Sequence, residues 1–283
     1  MALAVAAVVG AGLALAASCV TFGPPSTESA FEGRPAAWQC RGGRREAGAR
    51  RGNGLEDGPV VLFVHGTPGS WNDFAYVMAD PALASRARLL SVDRLGWGAS
   101  SERIEPSLEA QAAALRSVLE GRSAGMPAIV VGHSLGGPIA ARLAMDAPEL
   151  VGGLLLVAPS IDPELERTTW YQAVARWPWV RPLLPDMLAR ADDEIRPLHG
   201  ELERMLPRWS ELTLPVTLIQ GEDDGLVPPA NADFAERVVT HAPLAVERVP
   251  DQGHLIPWER PDLIRDALLA MLAHRSATSA AGS

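Results

Sequence analysis

An apolar run, Ala128-Ile129-Val130-Val131, passes without interruption into Gly132-His133-Ser134-Leu135-Gly136-Gly137, and a small-residue helical pattern follows over Leu135 to Met145. A buried-type strand that ends in G-x-S-x-G and restarts as a helix is the context of a nucleophile elbow, in which a serine sits at the tip of a tight strand-to-helix turn. The glycines have a steric reason. A serine in a strained backbone conformation brings strand and helix almost into contact, so the positions two before and two after it have no space for a side chain.

Val60 to His65 is another continuous apolar run, and Leu89 to Asp93, Gly153 to Ala158, Val216 to Gln220 and Ala245 to Val249 complete the visible set of strands. Such runs suit the interior of a parallel sheet covered on both faces. Helical patterns lie between them, including Leu108 to Leu119 and a last one over Asp262 to Leu272. Strand alternating with helix predicts an α/β protein with a mostly parallel, doubly wound sheet. The rhythm fails twice. Phe31 to Gly58 is rich in Gly and Arg and reads poorly as strand, and residues 160–212 carry Trp170, Trp177, Trp179, many prolines and mixed charge. An insertion of roughly fifty residues exceeds an ordinary loop and should hold helices of its own. Core packing is the commoner role for its tryptophans, with lining of an acyl pocket as the alternative.

A serine needs a base to become a nucleophile, and the base needs an orienting carboxylate. Gly221-Glu222-Asp223-Asp224-Gly225 follows the strand Val216 to Gln220, and Asp251-Gln252-Gly253-His254 follows the next, with Glu259 and Pro261 soon after. The order Ser, Asp, His is that of the α/β-hydrolase triad, and loops at the carboxyl ends of parallel strands face the site crevice. Adjacent Glu222 and Asp223, and Asp162 after the preceding strand, are competitors for the acid, with spacing from Gly221 favouring Asp224.

On these residues the chain resembles the α/β-hydrolase-fold serine hydrolases over about residues 59–274. His65-Gly66-Thr67-Pro68-Gly69 is similar to that family's H-G-x-x-G loop, and Asp93-Arg94-Leu95-Gly96-Trp97-Gly98-Ala99-Ser100 to its D-x-x-G-x-G-x-S loop. The resemblance implies an α/β-hydrolase core over 59–159 and 213–274, a helical cap over 160–212, and an antiparallel strand pair within the weak segment before residue 58. It implies Ser134 as nucleophile, His254 as base then acid, Asp224 as orienting carboxylate, and the backbone N–H groups of Thr67 and Leu135 as oxyanion donors. His65 and His133 would be structural, and no cofactor or metal would be needed. The implied reaction is cleavage of a carboxylic ester or related acyl bond in a small-molecule substrate. Alternatives on the same triad are carbon–carbon bond hydrolysis and perhydrolysis. Cap carboxylates Glu164, Glu166, Asp192, Asp193 and Glu194 raise an aminopeptidase of the proline-iminopeptidase type, and a non-catalytic surface binding protein is the alternative from another class.

The 283 residues carry a net charge of −9, with arginine as the only basic residue besides histidine, so composition offers no basic surface for nucleic acid. Met1 to Ala17 is almost wholly Ala, Val, Leu and Gly and ends in Ala16-Ala17-Ser18-Cys19, the pattern of an export signal; small residues before a cysteine resemble the bacterial lipoprotein signal, with Cys19 as the lipidated residue. The expectation is a protein of the bacterial cell envelope, either tethered to the membrane through Cys19 or its N-terminal run, or secreted. Residues 20–58 begin with a linker-type Pro/Ser/Thr stretch, and 275–283 read as a disordered tail. With only Cys19 and Cys40, no cysteine metal site can be built.

Overall fold

The computed structural model describes residues 37–39, 50–100, 103–120, 126–166 and 170–281. Cys19, Cys40 and the proposed signal segment lie outside them. Among the described residues, no helix is long and apolar enough to cross a membrane.

Eight strands form one sheet: β1 Ala37–Gln39, β2 Arg50–Gly54, β3 Val60–Val64, β4 Arg88–Val92, β5 Ala128–His133, β6 Val151–Val157, β7 Val216–Gly221 and β8 Leu244–Val249. Their order is β1-β2-β4-β3-β5-β6-β7-β8. The pairings from β4 to β8 are all parallel, whereas β1 to β2 and β2 to β4 are antiparallel. The six strand-type segments read from the sequence are the six parallel strands. The Gly/Arg-rich segment does supply the opening antiparallel pair, against its weak strand character. β2 is recruited by backbone pairing, with Arg50 to Gly54 in register against Val92 to Arg88, and Gly52 lies flat on the Leu90 side chain. A main-chain ladder of this kind leaves little side-chain pattern to read.

The described helices are α1 Ala75–Ala79, α2 Pro81–Ala84, α3 Leu108–Leu119, α4 Gly136–Asp146, α5 Trp170–Ala175, α6 Asp186–Ile195, α7 Leu198–Met205, α8 Ala230–Val238, α9 Ile256–Glu259 and α10 Pro261–Ala281. α3 starts where Ser107 accepts a hydrogen bond from the Ala110 amide at 3.3 Å, a side-chain cap for an otherwise orphaned donor. Its buried residues Leu108, Gln111, Ala112, Leu115, Val118 and Leu119 recur at helical spacing, giving one face to bury. α10 runs on past residue 275, where a disordered tail was expected. Arg275 donates to the Pro127 carbonyl and Ser276 to the Leu272 carbonyl at 3.0 Å, ties that a tail reading of the small-residue sequence does not reveal.

Two apolar clusters sandwich the sheet. Alternation along β3 shows the division: Val60, Leu62 and Val64 join the cluster with α3, α4 and α8, whereas Val61 and Phe63 join that with α1 and α10. The crossover from β3 to β4 and that from β5 to β6 thus cover opposite faces. Their divergence opens a crevice at the carboxyl ends of β3 and β5, where ligands bind in open α/β sheets. Between β6 and β7 lie α5, α6, α7 and three short 3-10 segments.

Candidate active site

Ser134 ends β5 with φ +53, a left-handed backbone that a non-glycine residue adopts only when its surroundings impose it. The surroundings are visible. A Cβ at Gly136 would collide with the Val64 carbonyl, and one at Gly132 with the Gly136 carbonyl. Strand, elbow and helix are therefore in backbone contact, as the G-x-S-x-G spacing predicts.

The loops after β7 and β8 are equally tight, since a Cβ at Gly221 would strike the Gln252 carbonyl. The Asp223 amide donates to the Gln252 carbonyl at 3.0 Å, and Gln252 donates to Glu259 at 2.7 Å. This lacing brings Asp224 and His254 together: His254 Nδ1 donates to Asp224 Oδ2 at 2.7 Å. Asp224 Oδ1 accepts from the amides of Leu226 at 2.9 Å and Val227 at 2.8 Å, and Gln220 reaches Oδ2 at 3.3 Å. The carboxylate is fully buried and held on both oxygens, so it fixes the tautomer and plane of the imidazole. Its rivals are elsewhere. Asp162 caps the short helix after β6 and pairs with Arg237 at 3.3 Å.

His254 lies against the elbow, its ring 4.7 Å from that of His133, whose Nε2 donates to the His254 carbonyl at 3.1 Å. Among the described residues no hydrogen bond joins Ser134 Oγ to the imidazole; in unliganded sites such contacts are often long and close on substrate. Burial holds His133 down to about 3, with the His254 imidazole adding to the effect, so His133 is neutral. His65 is likewise pushed well below the usual range, by burial and then by Arg94. It bridges loops: Nδ1 donates to the Gly66 carbonyl at 2.7 Å and Nε2 accepts the Arg94 amide at 3.0 Å. Both geometries are structural.

The His65–Gly69 loop covers Ser134, with a Cβ built on Gly66 only 2.9 Å from the Ser134 Cβ. Neither the Thr67 nor the Leu135 amide has an acceptor among the described residues. Two unspent donors beside a strained serine can stabilise a developing oxyanion.

Below this loop sits Asp73, which sequence reasoning passed over. It is buried, and the Ser70 amide reaches its Oδ1 at 3.4 Å. Burial raises its carboxyl to about 8, against smaller lowering effects of the Ser70 amide and Arg94. A carboxyl with a raised folded pKa stabilises most below its unfolded value near 3.8 and loses that contribution as pH rises to about 8. Asp73→Asn should therefore gain stability relative to wild type across pH 4 to 8, by on the order of a few kcal/mol at the upper end. Chemical denaturation at four pH values checks this; a difference independent of pH rejects it.

A larger omission is Arg94. Its Nε donates to the His65 carbonyl and its Nη2 to the Gly66 carbonyl, both at 2.8 Å, and its Nη1 pairs with Glu194 of α6 at 2.5 Å. Glu194 also accepts from Trp97 Nε1 at 2.9 Å and Gln111 at 3.2 Å. The other insertion carboxylates are engaged as well: Asp192 by Arg176, Arg181 and Arg196, Asp193 by Arg181 and Arg196, and Glu166 by the Ser160 hydroxyl. Trp177 and Trp179 stack on each other at 5.1 Å but are 39% and 50% exposed, contrary to the expectation of core packing. Pro178, Pro182 and Pro185 keep this stretch out of a long helix, and Val180 is buried in their place. The Trp170 side chain is outside the described residues.

The family model described as "alpha/beta hydrolase fold" matches residues 59–195. The match covers just under half of the chain, and with the strand order and elbow above it decides the fold. The chain has the α/β-hydrolase fold. Among curated relatives, it is 36% identical over 137 residues to the dihydrolipoyllysine-residue acetyltransferase component of an acetoin cleaving system from Cupriavidus necator, covering 48% of this chain and 35% of that one. The chain thus spans about a third of that relative. It is 27% identical over 260 residues to a 2-hydroxy-6-oxononadienedioate/2-hydroxy-6-oxononatrienedioate hydrolase from Pseudomonas sp, covering 78% of this chain and 89% of that one. Among solved structures, an α/β-hydrolase enzyme, MGS-MChE2, from a lagoon-sediment metagenome of Mar Chica, Morocco, superposes with a TM-score of 0.63 at 18% identity, covering 85% of this chain and 99% of that one. Other α/β-hydrolase-fold structures similar to this chain include epoxide hydrolases, one at a TM-score of 0.61.

Proposed function

We propose that this α/β-hydrolase is a serine hydrolase that cleaves a carboxylic ester or related acyl bond. One observation carries the reading: a buried carboxylate, Asp224, holds the imidazole of His254 at 2.7 Å, with that imidazole packed against an elbow whose serine has φ +53. In the first half-reaction Ser134 Oγ attacks the carbonyl carbon while His254 Nε2 takes its proton. The amides of Leu135 and Thr67 bind the oxyanion, and His254 returns the proton to the departing alcohol. In the second, water attacks the acyl carbon while His254 takes its proton, and the bond to Ser134 Oγ breaks as His254 returns that proton to the serine, releasing the acid. The proposed nucleophile is a serine, which sets this chain apart from branches of the fold that use an aspartate at that position.

A second reading, hydrolysis of a carbon–carbon bond next to a carbonyl, is supported by the Pseudomonas relative, which aligns over 89% of its length. Aminopeptidase action is less well supported, because Asp192, Asp193 and Glu194 are already paired with arginines. Tethering at the cell envelope through Cys19 is part of the proposal and rests on the sequence pattern alone.

The direct test is labelling with a small fluorophosphonate followed by peptide mapping. Stoichiometric modification of Ser134 in folded protein is expected, with p-nitrophenyl esters hydrolysed and a vinylogous diketone cleaved poorly. Absence of labelling would leave a non-catalytic binding protein on this fold.

A further inference from the structure

Arg94 and Glu194 are 0% and 2% exposed in their side chains and come from different parts of the fold, the loop after β4 and the helix α6 between β6 and β7. A buried ion pair is a poor source of stability, because stripping water from two charges costs about as much as their attraction returns. Its value lies in geometry, and the geometry here is specific. Three nitrogens of the Arg94 guanidinium are committed, Nε to the His65 carbonyl, Nη2 to the Gly66 carbonyl, and Nη1 to Glu194. The Gly66 carbonyl shares its peptide group with the Thr67 amide and the His65 carbonyl lies in the peptide before it, so a planar, rigid cation sets the plane of the peptides that lead into that amide. Glu194 in turn is held on both oxygens, by Arg94 and Gln111 on Oε1 and by Trp97 and Arg94 on Oε2. Gly66, at the middle of this loop, lies against Ser134.

We propose that Arg94 and Glu194 are a positioning pair: Glu194, on the segment between β6 and β7, fixes Arg94, and Arg94 fixes the Thr67 amide over Ser134, so that the seating of α6 sets the oxyanion site. The inference rests on the assignment of Thr67 as an oxyanion donor made above. Neither residue touches substrate. Their effect is to keep a donor on line with an oxygen that becomes charged only in the transition state, where displacement of about 1 Å costs roughly 100-fold in rate.

The test compares full-length wild type with Glu194→Gln and Arg94→Lys, after active-site titration with the fluorophosphonate so that rates refer to labelled sites. For both variants kcat on p-nitrophenyl acetate is expected to fall by roughly 100-fold with KM within about threefold, because the loss is confined to the transition state. Trp97→Phe removes one donor to Glu194 and keeps both charges. It carries the test where the charge variants do not fold, with an expected fall in kcat of several-fold. A lowered melting temperature with wild-type kcat per labelled site overturns the proposal, leaving the pair as a structural tie. A rise in KM at constant kcat also overturns it, in favour of substrate contact. Wild type that is not labelled at all removes the hydrolase reading itself; labelled wild type with unchanged variants removes only this inference.

Discussion

Ser134→Ala is expected to lower kcat on a short-chain p-nitrophenyl ester by about 10⁶-fold, with thermal stability close to wild type. The size follows from what the serine does. Without its oxygen no acyl-enzyme forms, and the remaining oxyanion donors can assist only direct attack by water. Alanine is a fair replacement structurally, since it carries the same Cβ into the φ +53 backbone and Ser134 Oγ has no partner within the described chain to lose. Stopped-flow or overnight hydrolysis assays on the purified variant, with circular dichroism as the folding control, measure the effect. Residual activity within tenfold of wild type would mean that the acyl transfer does not pass through Ser134.

The second large effect is that of Asp224→Asn, for which kcat should fall by about 10⁴-fold. The amide Oδ1 can still accept from Leu226 and Val227, so the loop keeps its shape. The group facing His254 Nδ1 becomes a donor, or a neutral acceptor, in place of a carboxylate. The imidazole then turns its proton toward Ser134, in the wrong tautomer for a base, and the imidazolium of the transition state loses its counter-charge. Asp162→Asn is the matched comparison. Its carboxylate serves the Glu164 amide and Arg237, and loss of activity beyond a few-fold is not expected. Equal losses in the two variants, measured as kcat/KM on the same ester, would take the acid role away from Asp224.

Glycine spacing made the elbow legible before any coordinates, because close backbone approach admits few residues and leaves a plain trace in the chain. The same holds for the inner parallel strands, whose two-sided burial forces continuous apolar runs such as Val60 to Val64 and Ala128 to Val131, whereas edge strand β8 carries Glu247 and Arg248 and is largely exposed. Chain order narrowed the acid to a short group of carboxylates, and spacing from Gly221 favoured Asp224 among them. The loops that lace Asp223 to Gln252 and Gln252 to Glu259 give that spacing its physical cause, by setting Asp224 against His254.

β2 was hard to read for a different reason. Its place is set by main-chain hydrogen bonds to β4, which any residue can make, so Arg50 to Gly54 needs no apolar alternation. Trp177 and Trp179 show the converse, large apolar residues whose exposure is decided by the prolines and the buried Val180 between them.

The amino-acid sequence by itself determined the α/β alternation, the elbow at Ser134 and the order in which serine, carboxylate and imidazole occur, since each follows from local sterics or from burial of a contiguous strand. The tertiary structure alone decided how the Asp224 carboxylate is held against His254, that Asp73 is buried beneath the His65–Gly69 loop, and that Arg94 meets Glu194. These contacts join residues as many as 100 positions apart, and a charge that is buried looks the same in sequence as one facing water. Only the packing of α6 against the loop after β4 removes that water and turns two ordinary charges into a fixed geometry.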